Sequence, residues 1–476
     1  MKSVAIIGGG ITGLTAAFRL QQKNIPVTLY EASERVGGVI QSFCHDGYLA
    51  EFGPNTLLET SPKVSALIDD LGLNNRRLYS DPMAKNRYVV RDRRLIKMPE
   101  SPLGFIATPL FSPAAKLRLL LEPFVRRGEE SREESVAEFV RRRLGPEFLD
   151  HAVDALVGGI YAGDPEKLSV PQAFPKLYAL ERDYGSLIRG QIFGARQRRE
   201  SGEVSKAHAK KFSFDEGLQV LPEALCAELK DNVQLHSPVS ALTQSDKGWN
   251  VRWRSNGSEV QREHSAVVYA GTAFGLSKME IQAHRLVNVA PFANIYYPPV
   301  ASVVLGFRRQ DVAHPLDGFG MLIPRLEGFR ILGSIFSSSL FPNRAPAGHV
   351  TLTSYIGGAR SPELARKSPE KLFDMTLEDL RVLLGISGEP TFKHHVLYPQ
   401  AIPQYNLGYE RFRNLMAEME PAAPGLFVAG HYRDGISVSD CIVSGEKVAG
   451  RIVNYLAEAP MERDSSPAEN PAWVTA

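Results

Sequence analysis

The sequence predicts an α/β protein built around a parallel sheet, and three observations lead to this fold class. A β-rich run, Ser3–Ile7, is followed by a glycine turn, a helical stretch over Ile11–Gln22 and a second buried strand, Val27–Tyr30. The same pattern returns near the end of the chain, where Gly425–Ala429 is typical of a strand and Val438–Leu456 of an amphipathic helix. The region between them changes from helical to β-rich character. These features predict a doubly wound, Rossmann-type domain assembled from separated parts of the chain.

The composition narrows the class of protein. The 476 residues are 43% hydrophobic and 23% charged, which is typical of a globular chain with about two or three domains. The net charge of +2 gives no overall field that would attract nucleic acid, so we expect no nucleic-acid partner. The three cysteines match neither a zinc site nor a disulfide framework, and nothing at the start resembles a signal peptide. We therefore expect a cytoplasmic protein.

The predicted domains are interleaved along the sequence. Residues 97–199 contain helix-like segments separated by arginines and predict a helical insert. A polar, proline-bearing end, 461–476, predicts a disordered tail. The remaining segments are assigned to a discontinuous nucleotide-binding domain, made of 1–80, 210–275 and 420–460, and to a mixed β/α substrate-binding domain, made of 81–96 and 276–419.

The strongest local motif is the glycine turn Gly8-Gly9-Gly10-Ile11-Thr12-Gly13. Gly8 permits the tight turn, Gly10 lets the backbone approach a pyrophosphate, and Gly13 lets the helix pack closely on the strand. The start of the helix then presents free N–H groups to the phosphates. Glu31 ends the second strand at the spacing expected for a carboxylate that accepts hydrogen bonds from ribose hydroxyls. We therefore predict a dinucleotide site, with Gly9 and Thr12 also in contact with the nucleotide.

The residues after Glu31 resemble the flavin branch of this fold. The stretch Ala32-Ser33-Glu34-Arg35-Val36-Gly37-Gly38 is similar to the acid-x-x-x-Arg-x-Gly-Gly segment of amine oxidases, carotenoid desaturases and protoporphyrinogen oxidases, which wraps FAD. This resemblance implies cofactor contacts at Ala32, Arg35, Gly37, Gly38 and Val39. Arg35 is a residue that can bind phosphate or carboxylate groups.

Further motifs resemble the protoporphyrinogen oxidase family more closely. The loop Gly53-Pro54-Asn55-Thr56 is similar to one that lies beside the flavin ring, and Val239 resembles a valine whose backbone meets the adenine. Near the end, Gly430 follows a strand and Gly435-Ile436-Ser437-Val438 precedes a helix, as in the segment that serves the flavin. The resemblance thus implies that Gly430, Ile436, Ser437 and Val438 bind FAD.

Four segments resemble the family's substrate site. Arg87, in Lys85–Tyr88, matches an arginine that pairs with a propionate, and Gly159, in Gly158–Pro165, matches a loop at the pocket. Leu322, in Phe319–Leu322, and Phe341, in Gly333–Arg344, match apolar residues around the tetrapyrrole. The sequence departs from the plant-type pattern at Ile160-Tyr161, which puts the detail of the pocket in doubt.

The resemblance implies a function in haem biosynthesis: FAD-dependent oxidation of protoporphyrinogen IX to protoporphyrin IX. Hydride would pass to FAD, and oxygen would accept the electrons and form hydrogen peroxide. The main alternative is oxidation of coproporphyrinogen III to coproporphyrin III, which differs in the number of propionates. A flavin amine oxidase and a non-catalytic relative of the Rab GDP-dissociation inhibitor type are more distant alternatives. No catalytic base is assigned.

The resemblance also implies that the helical insert associates with a membrane. Leu103–Phe111 and Leu117–Val125 offer apolar surface beside Arg126 and Arg127, a pattern typical of interfacial helices. No metal site is expected, since the adjacent His394 and His395 would point to opposite faces of a strand. The sequence does not decide between a monomer and a homodimer.

Overall fold

A computed structural model describes residues 2–129, 132–194, 209–255, 257–284 and 286–458. The predicted tail, 461–476, and the last residues of the predicted helical insert, 195–199, lie outside the described residues.

A five-stranded parallel sheet, here called the nucleotide sheet, combines strands from the start, the middle and the end of the chain. Its edge-to-edge order is Val233–Gln234, Val27–Tyr30, Val4–Ile7, Ala266–Tyr269 and Leu426–Val428. Four of its strands are buried along their whole length, as expected for strands covered on both faces. Because all five strands run in the same direction, their carboxyl ends meet at one edge, where ligands bind in sheets of this kind.

Two helices pack side by side on the nucleotide sheet and begin at this edge: the first helix, Ile11–Gln21, and the last helix, Val438–Glu458. Gly445 makes their close contact possible, because a Cβ there would lie 2.6 Å from the carbonyl oxygen of Thr12. The Thr12 hydroxyl donates a hydrogen bond to the Cys441 carbonyl at 3.1 Å across the same contact. The α/β fold predicted from the sequence is confirmed.

A seven-stranded sheet, here called the central sheet, forms the core of the second region. It is mostly antiparallel, but its strands Gly318–Leu322 and Asn86–Arg91 run parallel to each other. Its order is Phe392–Tyr398, Val300–Arg308, His349–Gly357, Ile331–Ile335, Gly318–Leu322, Asn86–Arg91 and Arg94–Lys97. The helix Pro369–Leu384 packs on it and buries a row of leucines against the strands.

Three smaller sheets complete the β-structure. A four-stranded sheet contains Val239–Ser245, Gly248–Ser255, Ser258–His264 and Glu280–Gln282; a hairpin contains Ser42–His45 and Tyr48–Glu51; and a three-stranded sheet contains Leu57–Leu58, Lys211–Phe214 and Arg77–Tyr79.

Short helices make up the segment from 102 to 193. Several begin at a serine that caps the first turn, and Ser135 with Glu138 forms a full capping box. The helix that begins at Pro113 ends at Leu120 and is followed by a short 3-10 turn, Glu122–Phe124. The described short helices of this segment are Pro102–Ala107, Pro113–Leu120, Val136–Arg143, Pro146–Phe148, Asp154–Tyr161, Val170–Ala173, Pro175–Tyr184 and Leu187–Phe193. A 3-10 turn lies at Glu122–Phe124 and a π turn at Leu149–Val153.

The remaining helices connect these layers. They are Pro62–Asp70, Val220–Leu229, Ala273–Leu276, Ser337–Leu340, Glu410–Ala422 and His431–Asp434, with 3-10 turns at Leu73–Arg76, Lys230–Asn232, Ala290–Asn294, Arg309–Asp311, Arg325–Glu327 and Leu364–Arg366. In the described part of the chain, no helix combines the length and the apolar character that crossing a bilayer requires.

Candidate active site

The glycine turn lies at the carboxyl edge of the nucleotide sheet and is as tight as its sequence predicts. Gly8 has φ +106°, and a Cβ there would lie 2.9 Å from the Gly271 nitrogen of the neighbouring loop. A Cβ on Gly13 would overlap the Gly8 carbonyl oxygen. Gly10 differs, since a Cβ at this position would meet no atom within 4 Å. Gly8 and Gly13 are therefore required for packing, whereas Gly10 faces open space at the start of the first helix.

No side chain caps the first helix. Its N-cap residue, Gly10, makes no side-chain hydrogen bond, and no acidic residue lies in the first turn. The first N–H groups of a helix have no partner within it, and the helix dipole places positive charge there. This end is suited to a pyrophosphate, whose oxygens can accept hydrogen bonds from those N–H groups.

Glu31 is held beside the turn by its own hydrogen bonds. Its Oε2 accepts from the Gly9 N–H at 2.6 Å, and its Oε1 accepts from the N–H and the hydroxyl of Ser33 at 2.9 and 2.7 Å. A carboxylate has about four acceptor positions, so capacity remains for ribose hydroxyls. Ala32 next to it is exposed. The structure thus brings the predicted acid and the predicted turn into direct contact.

Arg35 holds together the loop that follows Glu31, and its contact with FAD stays a prediction. Its Nη1 donates to the carbonyls of Val36 and Ile40 at 3.0 and 3.2 Å, and its Nη2 donates to the Gly38 carbonyl at 2.7 Å. The loop so formed passes next to the glycine turn, because the Gly37 N–H donates to the Gly9 carbonyl at 2.8 Å. In the structure Arg35 therefore shapes the cradle, and the bonds it makes are to main-chain carbonyls.

The loop from Gly53 to Thr56 lies against this same segment. A Cβ on Gly53 would overlap the Val39 carbonyl oxygen, so the two backbones are in direct contact, and the Val39 side chain is half exposed. Asn55 donates from Nδ2 to the Tyr355 hydroxyl at 2.8 Å, and that hydroxyl donates to the Gly53 carbonyl at 3.1 Å. Pro54 and Thr56 are half-buried. Tyr355 belongs to the central sheet, so these bonds join the two main regions beside the predicted cofactor loop.

The last helix provides a second helix start at the same edge. The Ser437 hydroxyl accepts from the Asp440 N–H at 3.1 Å, and the Asp440 carboxylate accepts from the Ser437 N–H at 3.2 Å. This reciprocal cap fixes Ser437 and the first helical residue, Val438. Before it, Gly430 has φ +121° and donates its N–H to the Ser444 hydroxyl at 3.0 Å. Ile436 is half-buried between them.

Val239 lies close to Glu31 at the far end of the site. The Ser237 N–H donates to the Glu31 carbonyl at 2.8 Å, and Val239 begins the next strand, opposite Trp253. The Trp253 ring lies 4.8 Å from that of Tyr30. The backbone that the resemblance assigns to the adenine therefore adjoins the acid assigned to the ribose.

These features fit FAD. The uncapped start of the first helix, the side-chain-capped start of the last helix, an open position at Gly10 and a carboxylate with acceptor capacity all lie at one edge of the nucleotide sheet. Such an arrangement can hold a pyrophosphate at the first helix and a flavin carbonyl at the last helix.

Leu322 and Gly159, both assigned to the substrate pocket, are neighbours. A Cβ on Gly159 would overlap the Leu322 Cδ2, so the leucine side chain rests directly on the helix Asp154–Tyr161. Leu322 ends a strand of the central sheet and stays half-buried. The absence of a side chain at Gly159 thus creates the place that Leu322 fills.

Arg87 lies one strand away, where it pairs with Gly320, while Val89 pairs with Leu322. Its guanidinium is close enough to Lys211 to act on it: burial and the charge of Arg87 lower the pKa of the Lys211 amine. No sequence motif linked Lys211 to Arg87, because Lys211 begins the strand Lys211–Phe214, far from Arg87 along the chain. Lys211 is thus a second cation whose charge interacts with that of Arg87.

Phe341 is not brought to this group. It is 2% exposed, packs with Ala84 and Leu340, and has the Arg344 guanidinium carbon 5.1 Å from its ring centroid. The aromatic side chain that does adjoin both the cofactor loop and the central sheet is Tyr355. Burial raises the pKa of its phenol above the usual range, so it stays neutral and acts as a hydrogen-bond donor.

The side chains of the adjacent His394 and His395 contact different neighbours, as expected for consecutive residues of a strand. The His394 ring stacks on Phe52 at 4.4 Å, whereas His395 meets Phe373 at 5.8 Å on the other side. Within the described ranges, no cluster of three or more histidine, cysteine, aspartate or glutamate residues is arranged to hold a metal ion.

Comparison with known proteins agrees with this site. The family model described as flavin containing amine oxidoreductase matches residues 11–453. Protoporphyrinogen oxidase 2 of Arabidopsis thaliana, a chloroplastic and mitochondrial protein, is 36% identical over 96% of this chain and 94% of its own length. Coproporphyrinogen III oxidase of Bacillus subtilis is 32% identical over 96% of this chain and 98% of its own length.

A crystal structure from Exiguobacterium sp. 255-15 has the same fold, with a TM-score of 0.78 at 24% identity, and the match covers 96% of this chain and 99% of that one. The family match covers most of the chain and includes Glu31, the start of the last helix and the Leu322–Gly159 contact. The chain is thus an FAD-dependent oxidoreductase, and it belongs to the protoporphyrinogen oxidase family within the flavin-containing amine oxidoreductases.

Proposed function

We propose that this protein oxidises a porphyrinogen to the corresponding porphyrin, with protoporphyrinogen IX as the substrate. The observation that carries the proposal is the position of Leu322 on Gly159, with Arg87 on the neighbouring strand. An apolar wall beside a cation suits a ligand that is apolar over its faces and carries carboxylates at its rim.

The chain's own residues would bind and orient this substrate. Bound FAD would supply the redox chemistry, accepting hydride from a bridging carbon and passing electrons to oxygen to form hydrogen peroxide. Arg87 would hold a propionate with two parallel hydrogen bonds, as a planar guanidinium can. The charge of Lys211, which interacts with that of Arg87, would add to the positive field that attracts a carboxylate. Leu322 would exclude water from one face of the macrocycle.

Tyr355 would fix the relation between substrate and cofactor. Its hydroxyl bonds both Asn55 and the Gly53 carbonyl, so it links the sheet that carries Leu322 to the loop assigned to the flavin. Positioning of reacting groups depends on such supporting contacts. No side chain in the described site is assigned the role of a base.

Anaerobic reduction tests the proposal. The purified holoenzyme is mixed with protoporphyrinogen IX or coproporphyrinogen III in the absence of oxygen, and the flavin absorbance at about 450 nm is followed. We expect bleaching by the substrate, return of colour on admission of air, and porphyrin fluorescence in step with it. If coproporphyrinogen III reduces the flavin faster, the alternative substrate is the correct one. If neither porphyrinogen bleaches the flavin, the proposal is wrong.

We further propose that the helical segment rests on a membrane surface. Large apolar side chains on its outer face are strongly exposed: Leu103, Ile106, Leu117, Leu120, Phe124, Ile192 and Phe193. Phe124 and Leu103 are each 80% exposed. Large exposed apolar surfaces mark interaction sites. Arg126 and Arg127, which closely follow Phe124 in the sequence, are exposed and suit anionic lipid headgroups.

The face is built rigidly although its leucines point outward. Arg143, fully buried, bonds the equally buried Glu122 at 3.1 Å and also Glu181, so an ion network ties the short helices together from inside. Flotation with vesicles containing anionic lipid tests the idea. We expect the protein to float, the double variant Leu103→Glu and Phe124→Glu to stay at the bottom, and the control Val382→Glu, at another exposed apolar residue, to float. Wild-type protein that stays at the bottom would refute the membrane contact.

A further inference from the structure

A one-turn helix, His431–Asp434, connects the nucleotide sheet to the last helix. Glycines with positive φ lie at both of its ends: Gly430 with φ +121° and Gly435 with φ +122°. Glycine loses more conformational freedom on folding than any other residue, so this turn depends on bonds from outside to keep one shape. The positions assigned to the flavin, Gly430 and 436–438, lie on either side of the turn, and its shape therefore sets the distance between them.

Tyr405 closes this turn from outside with a single hydroxyl group. The hydroxyl donates a hydrogen bond to the His431 carbonyl and accepts one from the Gly435 N–H at 3.1 Å, so it joins the first residue of the turn to the residue that follows it. Tyr405 is 2% exposed, and burial raises the pKa of its phenol well above the usual range. The phenol therefore keeps the proton that it donates to the carbonyl.

The neighbours of Tyr405 fix its own position. The Ser169 N–H donates to the Tyr405 carbonyl at 2.9 Å. The side chain of the preceding Gln404 donates to the carbonyl of Tyr161 at 2.8 Å, at the end of the helix that carries Gly159. Tyr405 thus ties the turn to the helical segment, whereas the strand before the turn and the helix after it both belong to the nucleotide-binding region.

Tyr409 makes a simpler contact with the same turn. Its hydroxyl donates to the Tyr432 carbonyl, and its ring lies 4.6 Å from that of Tyr405. Tyr409 is 1% exposed, so two buried phenols of the same chemistry contact the turn. The bond of Tyr409 ends inside the turn, whereas the two bonds of Tyr405 span it. This difference provides a matched control.

We propose that Tyr405 is a positioning residue for the flavin: by spanning the turn, it holds the start of the last helix in place toward the isoalloxazine ring. The inference goes beyond the proposed function, because it concerns the cofactor and holds for any substrate. It depends on the FAD contacts assigned to residues 436–438. The start of a helix carries partial positive charge, which stabilises negative charge on a reduced flavin. A helix start that moves away would stabilise the reduced flavin less, so the reduction potential of the bound flavin would fall.

Two measurements on Tyr405→Phe test this role. Hydrogen exchange read by mass spectrometry should show one additional fast-exchanging amide in the peptide 430–437, because the Gly435 N–H has lost its acceptor. The holoenzyme should have a more negative flavin reduction potential, measured against a reference dye, and its Kd for FAD should rise by up to about tenfold, the scale of one hydrogen bond. Tyr409→Phe also removes one buried phenol bond from the turn, but it should keep the wild-type reduction potential.

Each result supports or overturns the assignment. If the peptide 430–437 exchanges equally in wild-type protein and Tyr405→Phe, the hydroxyl does not span the turn and the inference fails. If the additional amide appears while the reduction potential stays at the wild-type value, the contact is structural only and the role toward the flavin is wrong. Equal shifts of the potential in Tyr405→Phe and Tyr409→Phe would reflect a general loosening of the turn and would also overturn the inference. Should Tyr405→Phe fail to fold, residue-level exchange of the wild-type holoenzyme decides: a protected Gly435 amide supports the role, and exchange at the rate of an unstructured peptide refutes it.

Discussion

Replacing Gly10 by alanine separates cofactor binding from folding. The residue has φ −69° and ψ 172°, which alanine adopts without strain, and the added Cβ would meet no protein atom within 4 Å. The apoprotein should therefore fold normally, with a change in the free energy of unfolding below about 1 kcal/mol from the weaker N-cap. The methyl group would instead enter the space assigned to the pyrophosphate.

The expected loss of affinity follows from the hydrogen bonds at the start of the first helix. A phosphate displaced from the helix loses at least one charge-assisted hydrogen bond, about 1.5–3 kcal/mol, so the Kd for FAD should rise about 10- to 150-fold. The assay is quenching of flavin fluorescence on titration of apoprotein, with urea unfolding measured in parallel. Gly450→Ala is the control, because a Cβ there also meets no atom within 4 Å but lies in the exposed part of the last helix.

Two results would refute this reasoning. If Gly10→Ala binds FAD as tightly as wild-type protein, the open position at Gly10 is not the phosphate site. If the free energy of unfolding of the apoprotein falls by several kcal/mol in Gly10→Ala but not in Gly450→Ala, the space beside Gly10 is needed for folding and the open position in the structure is wrong.

Three further predictions concern stability and the pocket. Glu51→Gln leaves the Arg344 guanidinium buried without a counter-charge, because both side chains of this ion pair, 3.1 Å apart, are almost fully inaccessible to solvent. The free energy of unfolding, measured in urea, should fall by about 3–5 kcal/mol, and a fall below about 1 kcal/mol would contradict this prediction. Gly159→Ala displaces the Leu322 side chain, so steady-state kinetics should show a higher KM for the porphyrinogen at unchanged FAD content. An unchanged KM would mean that the Leu322–Gly159 contact does not belong to the substrate pocket. Burial lowers the pKa of His264 to about 4, so the unfolded state binds more protons between about pH 6.5 and 4, and stability should fall as the pH falls through that window. His264→Gln should make the slope of unfolding free energy against pH shallower, and an equal slope would count against a neutral buried imidazole.

The nucleotide-binding part of the fold could be predicted from the sequence because its signals are local. The strand Val27–Tyr30 has the predicted bounds, and the first and last helices agree with their predicted bounds within two residues at each end. Each is an apolar segment next to a turn, so its identity depends little on distant contacts. The short helix His431–Asp434 had no sequence signal, since one helical turn leaves no periodicity to detect.

The candidate site was less accessible to sequence reasoning, because its residues act through tertiary contacts. The contact of Arg35 with the cofactor stays a prediction, and the sequence did not indicate that its guanidinium also bonds three carbonyl groups of its own loop. Phe341 was expected at the substrate, and its role there stays a prediction, although it packs in a separate cluster. Lys211 and Tyr355 lie more than a hundred residues from the groups they accompany, Arg87 and Asn55. No spacing rule links such residues.

The two ends of the chain meet because the nucleotide sheet is parallel. In a parallel sheet, the helices that follow the strands begin at the same edge. The first helix and the last helix therefore begin close together, although more than four hundred residues separate them in the sequence. Gly445 and Thr12 then set how closely the helices approach, and so the distance between the two starts. A side chain at Gly445 would move both ends of the FAD site at once. We therefore expect a side chain at Gly445 to change the spacing of the two helix starts, as a side chain in the glycine turn would change the turn itself.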